Sequence, residues 1–313
     1  MQTISLLDTS ICSSNLGDQI IMDSVQKHLD SLFDALFIHM PTHDVISKES
    51  YQFMKKSDFI FVGGTNLLSS NMNSYNQWRV SLWDAMFVKN IILMGVGWWQ
   101  YQNLPNFYTK TLYHRLLSKQ YLHSVRDSYT EKQLKAIGIT NVINTACPTM
   151  WNLTEEHCAE IPKEKSSSVL VTFTEYNQNP EYDAALVKLL KKNYEEIYYW
   201  TQQPKDYQYM KDLGGDSVIY LKPNLKALDE ILETRRVDYV GTRLHAGVRA
   251  LQYKRRSLIL SVDNRAAEIS KDTNLPVISR DDVSGIADRI NSVYETQIKL
   301  PTDQIKKWKS QFR

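Results

Sequence analysis

Residues 241 to 245 read Gly-Thr-Arg-Leu-His, between the β-branched and aromatic run Val237, Asp238, Tyr239, Val240 and the helix-favouring stretch Ala246 to Tyr253. A strand feeding a helix there puts Arg243 and His245 in the first helical turn, where unpaired backbone N–H groups and the helix dipole already favour an anion. Two side chains able to carry positive charge at that point suit a phosphate or a carboxylate. A surface Arg beside a half-buried His would give the same local pattern, so the rest of the chain has to decide.

A second cation stands in the same kind of place. Ser124-Val125-Arg126-Asp127-Ser128 ends a strand run and opens a helix that Gly138 closes. Arg126 can be held by Asp127 in a plain pair, or it can serve with Arg243 as a two-sided clamp on a small dianion or trianion. Three further loops follow strand runs: Asn15-Leu16-Gly17-Asp18, Gly63-Gly64-Thr65-Asn66, and Gly95-Val96-Gly97-Trp98-Trp99. Their glycines leave room for a ligand against the backbone, although none has the G-x-G-x-x-G or P-loop spacing. The aromatic group around Trp98 suits a sugar ring and equally suits core packing.

Short β-rich runs alternate with amphipathic stretches along all 313 residues, which predicts parallel strands joined by helical crossovers. The fold class expected is α/β, two doubly wound Rossmann-like domains facing across a cleft. Residues 1–155 form the first and 166–300 the second. A Glu-, Lys-, Pro- and Ser-rich stretch near 154–168 reads as the linker. Asp18 is placed to cap the first helix. In the last stretch, 301–313, Ile305, Trp308 and Phe312 share one face; packing back on the first domain is the preferred account over resting on anionic lipid.

Thirty-seven basic residues against 35 acidic ones give a formal charge of +2, which provides no global field for coating nucleic acid. Cys12, Cys147 and Cys158 have neither disulfide-framework nor zinc spacing, which fits a reducing cytosol. The opening Met-Gln-Thr-Ile-Ser-Leu-Leu reads as a first strand rather than a signal peptide, and no apolar run is long enough to span a bilayer.

With Asn15-Leu16-Gly17-Asp18, Gly63-Gly64, Val125-Arg126-Asp127-Ser128 and Gly241-Thr242-Arg243-Leu244-His245-Ala246 in this order, the chain resembles the polysaccharide pyruvyl transferases. The resemblance implies a fold like the B-type glycosyltransferases and transfer of the enolpyruvyl group of phosphoenolpyruvate to a sugar as a ketal. It implies that Arg126, Arg243, Leu244 and His245 line the phosphoenolpyruvate site, with Arg126, Arg243 and His245 catalytic and His245 the general acid. Arg265 stands where the family usually carries a Lys, and Cys147-Pro148 where many members have Asp-Pro. Asn15, Gly17, Asp18, Gly64, Asn66 and Trp98 are the candidates for binding the acceptor. Phosphoenolpyruvate is the co-substrate, the acceptor is a sugar or lipid-linked oligosaccharide, and no metal or organic cofactor is implied. The expected location is cytoplasmic, or peripheral at the inner face of the membrane. Two alternatives stand beside this reading: a nucleotide-sugar glycosyltransferase of the same fold, and an inactive scaffold in polysaccharide assembly.

Overall fold

The computed structural model describes residues 1–313, and the chain divides into two compact units. Unit 1 comprises Met1–Ser13, Ile21–Trp151 and Leu300–Arg313; unit 2 comprises Ser14–Ile20 and Asn152–Lys299. Twelve strands appear where the β-rich runs predict them. In unit 1 these are β1 (Gln2–Asp8), β2 (Ala35–Pro41), β3 (Phe59–Gly63), β4 (Ile91–Met94), β5 (His123–Val125) and β6 (Val142–Asn144). In unit 2 they are β7 (Ser168–Thr172), β8 (Glu196–Tyr199), β9 (Ile219–Tyr220), β10 (Val237–Gly241), β11 (Ser257–Ser261) and β12 (Val277–Ser279).

Unit 1 has a parallel sheet in the order β2-β1-β3-β4, and a parallel β5-β6 pair continues it through the Val96–Val125 bridge and the Gly95 N–H bond to Ser124 O. Successive residues of β3 and β4 alternate between two cores, as the period of two requires when both faces are covered. Phe61, Ile92 and Met94 pack with Ile21, Val25 and Leu29 of the helix Leu16–Asp30, and with Ile305 and Trp308 of the helix Thr302–Ser310. Ile60, Val62, Ile91 and Leu93 pack on the other face with Leu112, Tyr113 and Trp98. The apolar stripe of the last helix is therefore covered by protein: Trp308 is buried and its Nε1–H donates to Leu122 O at 2.9 Å. That face is not available to lipid.

Unit 2 is a six-stranded parallel sheet ordered β12-β11-β10-β7-β8-β9. The chain winds outward in one direction from β7 and in the other from β10, so the topological switch point lies between these two strands. In open α/β sheets, ligands bind beyond the C-terminal strand ends at that point. The polar stretch read as a linker contains the helix Glu155–Ala159, capped by Thr154. Five residues are too few to show a helical period in sequence.

Candidate functional site

At the switch point, β10 ends at Gly241 against Thr172 of β7. A Cβ on Gly241 would lie 2.6 Å from Thr172 O, so only glycine allows this approach. Tyr239, buried in β10, donates its hydroxyl to Arg243 O at 2.7 Å and fixes the turn that starts the next helix. Arg243 is the N-cap of that helix, Leu244–Gln252, and buried His245 lies in its first turn beside Leu244.

The Arg243 side chain is buried and held on one edge. Its Nη2 donates to both carboxylate oxygens of Asp206, at 2.5 and 2.6 Å, and its Nε donates to Asp206 Oδ2 and Phe173 O. Nη1 makes none of these bonds and is the nitrogen left for a ligand. The guanidinium lies 5.1 Å from the Tyr176 ring centroid, and Arg265, anchored on Asp263, lies 5.4 Å from the same ring. Tyr176 thus links two cations at the exits of three strands, β7, β10 and β11. In sequence these residues are scattered from position 173 to 265.

Asp206 ties the loops together. Besides Arg243 it accepts from Glu175 N–H at 3.1 Å and Gln203 N–H at 2.9 Å, so groups from the exits of β7, β8 and β10 meet on one carboxylate. Burial pushes its carboxyl above the ordinary value, while Arg243 and the two backbone donors pull the other way. Next to each of these three anchors is a buried side-chain oxygen with no partner in the protein: Thr174 Oγ1, Gln202 Oε1 and Thr242 Oγ1. Buried polar atoms are seldom left so.

The Gln202 amide orientation is set by the loop after β1. Asn15 Oδ1 accepts from Gly17 N–H at 3.0 Å, which only an oxygen can do, so the 2.8 Å contact from Gln202 must come from its NH2 group. That leaves Gln202 Oε1 as an acceptor in need of an O–H or N–H donor. Leu16 N–H also donates to Gln202 O, and a Cβ on Gly17 would lie 2.7 Å from Gln202 Nε2. Asn15, Gly17 and Asp18 therefore fall within unit 2, although they precede most of unit 1 in sequence. The helix begins at Leu16, which puts the buried Asp18 inside its first turn; Asn15, not Asp18, takes the capping place.

Unit 1 builds a separate cluster around Arg126 at the end of β5. Its Nε donates to Asp127 Oδ2 at 3.1 Å, and its Nη2 donates to Asn66 Oδ1 and to Trp98 O. Asp127 also caps the helix Ser128–Ala136, accepting from Thr130 N–H and hydroxyl at 2.7 and 2.6 Å. A Cβ on Gly97 would fall 2.2 Å from the Arg126 guanidinium carbon, so that glycine exists for the arginine rather than for a ligand. Gly64 has positive φ, and a Cβ there would meet Ile21 at 2.1 Å. The Trp98 indole lies in the core, its Nε1–H donating to Gln102 Oε1 at 3.0 Å, while Trp99 stacks on Tyr75. Cys147 is buried, and burial pushes its thiol pKa up.

Arg243 and Arg265 thus flank Tyr176 in unit 2, with Leu244 and His245 following Arg243 in the first turn of its helix, while Arg126, Asn66 and Trp98 come together in unit 1. Asp206, Tyr176, Gln202 and Thr174 escaped the sequence reading. The one signal for Asp206 was Gln203-Pro204-Lys205-Asp206, a helix start with Pro at its first position and an acid at its third.

A family model described as polysaccharide pyruvyl transferase matches residues 15–264. No curated protein matches the sequence. Among solved structures, S. aureus MnaA in a co-structure with UDP matches with TM-score 0.58 at 13% identity, covering 98% of this chain and 95% of that one. The UDP-GlcNAc 2-epimerase of Methanocaldococcus jannaschii, in complex with UDP-GlcNAc and UDP, matches with TM-score 0.56 at 10% identity, covering 98% and 99%. At such identity the likeness concerns the fold, which is the two-unit Rossmann-like architecture of the GT-B class.

Proposed function

Because the chain belongs to the polysaccharide pyruvyl transferase family, we propose that it moves the enolpyruvyl group of phosphoenolpyruvate onto a sugar of a surface-polysaccharide precursor, forming a ketal. The observation that carries this reading is the group at the switch point of unit 2: the free Nη1 of Arg243, Arg265 across Tyr176, and His245 in the first turn of the same helix. Phosphoenolpyruvate brings a phosphate and a carboxylate, which guanidinium donors and helical N–H groups neutralise. Asp206 holds the Arg243 fork in one plane, so little side-chain freedom is lost on binding.

His245 serves as the general acid and gives its proton to the methylene carbon of phosphoenolpyruvate, leaving an oxocarbenium-like C2. A sugar hydroxyl adds its oxygen to C2 and releases its proton. Phosphate then leaves with the bridging oxygen, and a second hydroxyl of the same sugar attacks C2 and closes the ketal ring. One hydroxyl proton restores His245, and the other departs with phosphate. Phosphoenolpyruvate has no hydroxyl or N–H with which to satisfy Gln202 Oε1, whereas a sugar has several. Gln202 accordingly contacts the sugar, while Thr174 and Thr242, whose hydroxyls donate as well as accept, contact the bound substrates.

Thermal melting with phosphoenolpyruvate and with UDP tests the reading, since a ligand of the native state raises the melting temperature. Stabilisation by phosphoenolpyruvate is expected; stabilisation by UDP alone would favour the glycosyltransferase. His245→Ala should abolish phosphate release while keeping the phosphoenolpyruvate-induced shift. Full turnover in that variant would remove His245 from the mechanism.

A further inference from the structure

Two hollows of unit 1 are at the wrong end of its sheet for catalysis. One of about 670 Å³ and one of about 480 Å³ share Met86, Lys89, Asn90 and Gln120. They open beside the starts of β3, β4 and β5, since Asp58 precedes β3, Lys89 and Asn90 precede β4, and Gln120 lies shortly before β5. Substrates of such sheets bind at the opposite, C-terminal ends. Lys55, Lys89, Arg115 and Lys119 line these walls, and all four are exposed. Asp58 is the one acid among the lining residues, and it is engaged by Thr3 N–H.

Large apolar side chains stand in the same patch. Trp83 is 65% exposed and Met86 50%. Trp83 packs edge-on against Phe87 at 5.6 Å, and Lys55 Nζ lies 5.5 Å over the same Phe87 ring. An ammonium drawn over an aromatic ring beside an exposed indole and thioether gives a surface that is apolar at its tip and cationic around it. Interfacial tryptophan and lysines that meet phosphates have that chemistry.

We propose that this face of unit 1 docks on an anionic phospholipid surface, with Trp83 and Met86 entering the headgroup layer and Lys55, Lys89, Arg115 and Lys119 meeting lipid phosphates. No helix of the chain is long and apolar enough to cross a membrane, so the contact is peripheral. It is independent of the transfer chemistry proposed above, and its residues lie outside that machinery. A soluble acidic protein or a second copy of the chain would engage the lysines without needing a membrane.

Co-sedimentation of the full chain with vesicles tests the proposal, comparing phosphatidylcholine alone with phosphatidylcholine containing phosphatidylglycerol. Binding is expected only with phosphatidylglycerol, and it should weaken as salt is raised. Lys55→Gln, Lys89→Gln and Lys119→Gln should each lower it about fivefold, from a contribution of roughly 1 kcal/mol per basic residue. Trp83→Ala should lower it further, with melting unchanged because all four side chains are exposed. Absence of binding, equal binding to both vesicles, or binding that survives the triple lysine variant would overturn the proposal. So would loss of a dimer, rather than of vesicle binding, in Trp83→Ala measured by light scattering.

Discussion

Two kinds of buried polar side chain stand at the strand exits that Asp206 ties together, and they should respond to substitution in opposite ways. Arg243 and Asp206 satisfy each other, so removing one partner strands a buried charge at a cost of about 3–5 kcal/mol. Arg243→Ala should therefore melt early for reasons unrelated to substrate. Adding Asp206→Asn should recover part of that loss, by removing the stranded charge although its NH2 cannot accept from a backbone N–H, without restoring phosphoenolpyruvate binding. Recovery of both would mean that Arg243 is structural only. Thr174 and Thr242, by contrast, hold hydroxyls with no partner in the protein. Thr174→Val and Thr242→Val remove them isosterically, so the ligand-free protein should be as stable as before or up to about 1 kcal/mol more stable in urea titration, while substrate binding weakens. A clear loss of ligand-free stability would show that the hydroxyls serve the fold.

How much of this site could be read from sequence follows from the same contrast. Arg243 and His245 were legible because a strand end followed by a helix start places them in the first turn whatever the rest of the chain does. Asp206 was not, because its role depends on three loops closing onto one carboxylate from residues 175, 203 and 243. Gly97 looked like room for a ligand and turned out to be room for Arg126, since a missing Cβ does not say what fills the space.

Among the elements, the strands were the most legible, because runs such as Phe59–Gly63 and Ile91–Met94 are apolar on both faces and helices cover both. The last helix posed a harder problem: its stripe of Ile305 and Trp308 fits a protein core, the preferred account, but also a lipid surface. Packing resolves it, since Trp308 lies against Phe61 and Trp151 with ring centroids 6.1 and 5.7 Å apart. Trp308→Ala should accordingly cost about 3–5 kcal/mol in denaturant unfolding, the usual range for a buried indole. At temperatures where the variant is folded, its binding to phosphatidylglycerol vesicles should match the parent. A variant of normal stability with impaired vesicle binding would return the helix to the membrane.

Over the whole molecule, buried ionisable groups are divided unequally between the units, so acid should act on them differently. In unit 1, His28 and His123 are both pushed down from 6.5 to about 4, chiefly by burial. His28 Nε2–H donates to Pro148 O, and nearby Lys309 opposes its protonation further. Between pH 6.5 and 4 the unfolded chain binds protons that these folded imidazoles refuse. Their contribution to stability is thus complete above about pH 6.5 and is lost as the pH falls toward 4, by about 3 kcal/mol each at the lower limit. In unit 2, burial raises the carboxyls of Asp183, Asp206 and Asp238, each only partly offset by an arginine. A carboxyl raised in the folded state gains protons there before the unfolded chain does, so acidification relieves it. Unit 1 should therefore be the first to open as the pH drops from 7 to 5. Hydrogen exchange by mass spectrometry should show amides of β1 and β4 losing protection ahead of those of β7 and β10. His28→Gln should narrow the gap, because glutamine can still donate to Pro148 O and has no proton to refuse. Earlier opening of β7 and β10, or a gap indifferent to His28→Gln, would mean that the unit 1 imidazoles do not control acid stability.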